Sequence, residues 1–78
     1  MYQINSNVFL NEVQMKNFKD YYSKLGYSSK ILKCLGGFKL CFKEVRSRDE
    51  AIVFLRELER NGVNANIELS SAPLSSKY

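Results

Sequence analysis

Three amides stand at alternate positions near the N-terminus, Gln3, Asn5 and Asn7. Further on, Lys39, Cys41 and Lys43 repeat that spacing. Residues two apart on a strand share one face. Amides donate and accept hydrogen bonds at once, and ammonium groups attract carboxylates. Together with Lys30, these residues make a candidate binding face for a polar, anionic ligand. Nothing comparable points to catalysis. The chain has no His, no glycine-rich phosphate loop, no cysteine with a plausible general base and no metal-ligand spacing. Asp20, Asp49, Glu50, Glu57 and Glu59 fall on helix surfaces or caps, so no carboxylate pair is expected to do acid–base work. Neither an enzyme activity nor a cofactor or metal is expected.

The elements that must position this face come in two copies. Gly26 and Gly62 lie 36 positions apart, 62 less 26. The same offset matches Tyr2 with Phe38, Ile4 with Leu40, Phe9 with Val45, Phe18 with Phe54 and Ile31 with Ile67. Asn11 and Ser47 are N-cap residues, with Gln14 and Glu50 three positions on in the capping-box spacing. Behind them, Met15, Phe18, Tyr22 and Leu25 recur with helical periodicity, as do Ala51, Phe54, Leu55 and Leu58. Gly26 and Gly62 supply the left-handed residues that close each helix. The rest alternates as strands do. Phe38, Leu40 and Phe42 are expected inward, with Lys39, Cys41 and Lys43 outward. Tyr2, Ile4 and Ser6 face in against Gln3, Asn5 and Asn7; Val63, Ala65 and Ile67 face in against Asn64, Asn66 and Glu68. Tyr27 to Lys33 is the remaining strand, joined to Phe38–Lys43 by a Gly36-Gly37 hairpin turn.

Two strand–helix–strand units about a pseudo-twofold predict an α+β, ferredoxin-like βαββαβ fold. Its four-stranded antiparallel sheet carries both helices on one face and leaves the other open. With 78 residues, 45% of them apolar, the chain supports one small core, assigned to residues 2–69. The Ser/Pro-rich segment 70–78 is expected to be a flexible tail. A net charge of +4 favours anionic partners without the Lys/Arg density of a dedicated DNA binder. No apolar run approaches the roughly 20 residues that span a membrane, and the N-terminus has no signal-peptide pattern.

The run Phe38-Lys39-Leu40-Cys41-Phe42-Lys43-Glu44-Val45-Arg46-Ser47-Arg48-Asp49-Glu50-Ala51, continuing to Leu55, Leu58, Gly62 and Ile67, resembles the second half of a SPOR (sporulation-related repeat) domain. Tyr2, Ile4, Phe9 and Gly26 stand at matching places in the first half, so the resemblance spans residues 2–69. The chain departs from the family pattern at Asn5, where Gln is frequent, and at Asn7 and Lys43, where glycine stands. The resemblance implies a non-catalytic module that binds peptidoglycan, in particular glycan strands stripped of stem peptides, along the open sheet face. Its place would be the bacterial cell wall, periplasm or division septum as part of a longer exported protein, such as a cell-wall hydrolase, or the cytoplasm if the chain acts alone. Contact with glycan is expected from Gln3, Asn5, Asn7, Lys30, Lys39, Cys41 and Lys43. The lysines would meet the lactyl carboxylates of muramic acid. The module is expected to be a monomer with no membrane contact.

Two rival readings have distinct requirements. An RNA-recognition domain shares the element order but stacks bases on outward aromatics. Placing Phe38 and Phe42 outward would drive Lys39 and Lys43 into the core, at several kcal/mol each. A protein–protein adaptor would use the same face or a sheet edge. A Gly36-Gly37 turn would pair Cys34 with Lys39 and Leu32 with Cys41. The thiols would then be diagonal neighbours roughly 7–8 Å apart, at the limit for a bridge, and are expected free.

Overall fold

Both helices begin where their capping side chains dictate. In the computed structural model, which describes residues 1–69, α1 runs Glu12–Lys24 and α2 Arg48–Arg60, 36 positions apart as the repeat predicts. The Asn11 side chain accepts the Gln14 N–H at 2.7 Å, and the Ser47 hydroxyl accepts the Glu50 N–H at 3.1 Å. Each helix closes in the same way. Tyr27 N–H reaches the Tyr22 carbonyl and Val63 N–H the Leu58 carbonyl, both at 2.9 Å. Gly26 at φ +100° and Gly62 at φ +79° make the left-handed step between them.

The strands are β1 Tyr2–Asn5, β2 Lys30–Cys34, β3 Gly37–Val45 and β4 Asn66–Leu69, all antiparallel, in the order β2-β3-β1-β4. This is the ferredoxin-like α+β arrangement expected. Ile4, Leu40 and Val45 of the central strands pack with Met15, Tyr22, Ala51, Leu58 and Val63 to form the core, with Phe38, Phe42, Ala65 and Ile67 packed against it. α1 buries a narrower stripe than its periodicity predicts. Met15 and Tyr22 are buried, whereas Phe18 is 39% exposed and Tyr21 53%. Phe18 still stacks on Phe9, with centroids 5.1 Å apart. The assignment of segment 70–78 as a tail lies outside the described residues.

Two details of register depart from the alternation read in the sequence. The hairpin turns at Leu35-Gly36, with Cys34 opposite Gly37, Leu32 opposite Lys39 and Lys30 opposite Cys41. Gly36 takes φ +90° at the turn. Gly37 serves a different need, because a Cβ there would stand 2.1 Å from the Phe9 carbonyl oxygen. That close approach lets Phe9 and Phe38 exchange two backbone hydrogen bonds, at 2.7 and 2.9 Å. The corrected pairing puts the rungs of Cys34 and Cys41 four positions apart, roughly 13 Å along a strand. They are not diagonal neighbours, and both are free thiols.

The second departure is a bulge. Tyr2, Gln3 and Ile4 pair with Val45, Glu44 and Lys43, but Asn5 pairs with Cys41, leaving Phe42 as an extra residue in β3. Phe42 and Val45 are three apart, so no strict alternation can send both under the helices; the extra residue lets both go. It also carries Lys43 with them. Lys43 stands opposite the buried Ile4, and its ammonium lies 5.1 Å from the centre of the Phe54 ring on α2.

Candidate functional site: the open face of the sheet

On the face away from the helices, one rung crosses all four strands. Lys30 of β2 stands opposite Cys41 of β3, Cys41 opposite Asn5 of β1, and Asn5 opposite Asn66 of β4. At about 4.8 Å between strands this row is roughly 14 Å long. Its middle is floor and its ends are contact points: Asn5 and Cys41 are 1% and 3% exposed, while Lys30 and Asn66 are open to solvent. Asn66 donates to the Asn7 side chain at 3.1 Å, extending the amide cluster past the end of β1.

The neighbouring rung carries two carboxylates, and a lysine from the other side of the polar rung reaches one of them. Gln3 lies between Glu44 and Glu68, and its amide approaches the Glu44 carboxylate at 3.4 Å. Lys39 Nζ reaches across β1 to both oxygens of Glu68, at 2.8 and 3.0 Å, and Asn5 Nδ2 donates to the same carboxylate at 2.7 Å and to Gln3 at 3.1 Å. The hydrogen bond from Lys39 holds the Glu68 carboxyl below its usual range, with Asn5 adding to it against the opposing effect of burial. The hydrogen bond to Glu68 likewise raises the Lys39 ammonium. Asn5 Oδ1 is shielded and has no hydrogen-bond partner among the described residues. Cys41 lies beneath these groups. Burial pushes its thiol up against a smaller opposing contribution from the Lys43 backbone, and its S–H donates to the Lys43 carbonyl at 3.6 Å.

The structure thus brings together Gln3, Asn5, Asn7, Lys30, Lys39 and Cys41 of the expected set, and it removes Lys43 to the helix side. Asn5 and Cys41 shape the floor and present almost no surface. The face is also not the basic sheet that the lysines suggested, because Glu44 and Glu68 balance Lys30 and Lys39 on it. Glu68 and Asn66 were legible as outward by alternation. Glu44 was not, since only the bulge turns it to this side. The signal for the bulge was present in the three-residue step from Phe42 to Val45.

Among the described residues no aromatic ring lies on the open face, no group of acidic, His or Cys side chains could hold a metal, and no helix is long and apolar enough to cross a membrane. No family model matches the chain, and neither a curated protein nor a solved structure matches it at the level that marks a relative.

Proposed function

We propose that this domain is a non-catalytic binding module that lays a glycan strand, of the kind left when peptidoglycan loses its stem peptides, across the open face of its sheet. The observation that carries this reading is the polar rung Lys30–Cys41–Asn5–Asn66 spanning a sheet face that no described element covers. Sugars are bound by groups that donate and accept in the same plane, which Gln3, Asn7 and Asn66 provide. Lys30, exposed at one end, is the cation best placed for a lactyl carboxylate. Lys39 already has its carboxylate in Glu68 and serves to hold that end of the cluster in shape. The resemblance to SPOR domains over residues 2–69 supports the same ligand. In an exported parent protein such a module would direct its carrier to the cell wall or septum.

RNA binding by base stacking is disfavoured because Phe38 and Phe42 pack toward the helices. Co-sedimentation tests the proposal with intact and amidase-treated sacculi, beside a single-stranded RNA control. The domain is expected to pellet with treated sacculi, and the Lys30→Glu, Asn66→Leu double variant to remain in the supernatant while staying folded. Equal pelleting of the variant, retention of RNA instead, or a dimer in light scattering that buries the sheet face would refute it.

A further inference from the structure

The Lys39–Glu68 ion pair lies across the polar rung. Lys39 belongs to β3 and Glu68 to β4, with β1 between them. Lys39 stands two residues from Cys41 on one side of the rung, and Glu68 two residues from Asn66 on the other. Their 2.8 Å contact therefore passes over β1 at Asn5, the residue paired with both Cys41 and Asn66. Asn5 is only 1% exposed, although no described helix or strand covers this face. Side chains make the cover. Glu68 and Gln3 are both hydrogen-bonded to the Asn5 amide, and Lys39 is tied to Glu68.

The Glu68 carboxylate thus sits in a receptor built by the two central strands. Lys39 Nζ of β3 donates to both of its oxygens, and Asn5 Nδ2 of β1 donates to one of them. An ammonium and an amide N–H placed in this way serve any carboxylate. The carboxylate itself comes from a four-residue edge strand that is bonded on one side only. Its side chain is 38% exposed, so a change of rotamer carries it into water. A partly exposed ion pair contributes little, and an incoming carboxylate would receive the same hydrogen bonds, so the exchange costs little. We infer that Lys39 and Asn5 form a carboxylate subsite for which Glu68 is the intramolecular competitor, and that the lactyl carboxylate of a muramic acid residue exchanges with it. The inference rests on the glycan-binding reading and gives the glycan a second anionic contact beside Lys30. It also gives Lys39 a role beyond holding the cluster in shape.

The test is NMR titration of the full ¹⁵N-labelled chain with two tetrasaccharides. One alternates N-acetylglucosamine with N-acetylmuramic acid; the other is N-acetylglucosamine tetramer, which lacks the lactyl groups. Glu68→Ala removes the competitor and should bind the muramic tetramer about three- to fivefold more tightly than the parent, with the uncharged tetramer unchanged. Adding Lys39→Met should abolish that gain. Lys39→Met alone should reduce the parent's preference for the muramic tetramer, which decides the question if Glu68→Ala does not fold. A folded Glu68→Ala with no gain, an equal gain for the uncharged tetramer, or an unchanged preference in Lys39→Met overturns the subsite but leaves the glycan reading standing. Failure of the parent to bind either tetramer or amidase-treated sacculi overturns both. If a pentapeptide with a free C-terminal carboxylate binds Glu68→Ala as tightly as the muramic tetramer does, and its amidated form does not, the site receives peptide termini and the inference fails.

Discussion

Replacing Gly37 by Ala tests the hairpin register that aligns Lys30 with Cys41, and with it the whole open-face rung. An added Cβ would stand 2.1 Å from the Phe9 carbonyl oxygen, so β3 and the Phe9 segment must part. Parting them breaks the paired Phe9–Phe38 backbone hydrogen bonds of 2.7 and 2.9 Å. At a net of about 1 kcal/mol per bond, with some loosening of Phe9 on Phe18, the loss should be about 2–3 kcal/mol. Gly36→Ala meets no atom within 4 Å and bears only the left-handed strain of φ +90°, about 1 kcal/mol. For a domain of this size each kcal/mol lowers the melting temperature by roughly 4–8 °C. Gly37→Ala should therefore melt roughly 10–20 °C lower and Gly36→Ala roughly 5 °C lower, followed by circular dichroism. If Gly36-Gly37 were the turn, both glycines would hold left-handed positions and the two losses would match. Equal losses, or a milder one at Gly37, would refute the register and the rung built on it.

Acid should loosen the Lys39–Glu68 cluster. Because the folded pKa of Glu68 is depressed, its contribution is complete above the ordinary carboxylate range near 4.5 and is lost as pH falls through the lower folded value. With the Glu68 side chain 38% exposed, that contribution should stay under about 1 kcal/mol, visible as a steeper acid decline of melting temperature in the parent than in Glu68→Gln. Lys43→Met should leave glycan retention unchanged, since Lys43 reaches Phe54 on the helix side, and should cost at most about 1 kcal/mol in urea unfolding. Ellman's reagent should modify the half-buried Cys34 quickly and Cys41 only slowly, because burial both covers the Cys41 thiol and raises its pKa; a single fast phase of two thiols would contradict this.

The two halves of the chain and their helix ends were determined by short-range chemistry. Asn11 and Ser47 cap within three residues, Gly26 and Gly62 can take the positive φ that closes a helix without a Cβ penalty, and the apolar stripes need only the helical period. The inward direction of Phe38, Leu40 and Phe42 followed from alternation for the same reason. Tertiary structure decided the rest, because it turns on contacts between residues some forty positions apart. Phe42 and Val45 both had to lie under the helices, so β3 bulged against Ile4 and Asn5 and took Lys43 away from the open face. Gly36 and Gly37 are identical in sequence, yet one answers to a turn and the other to the Phe9 carbonyl. The pairing of Lys39 with Glu68, which makes the face neutral rather than basic, exists only because β1 lies between β3 and β4.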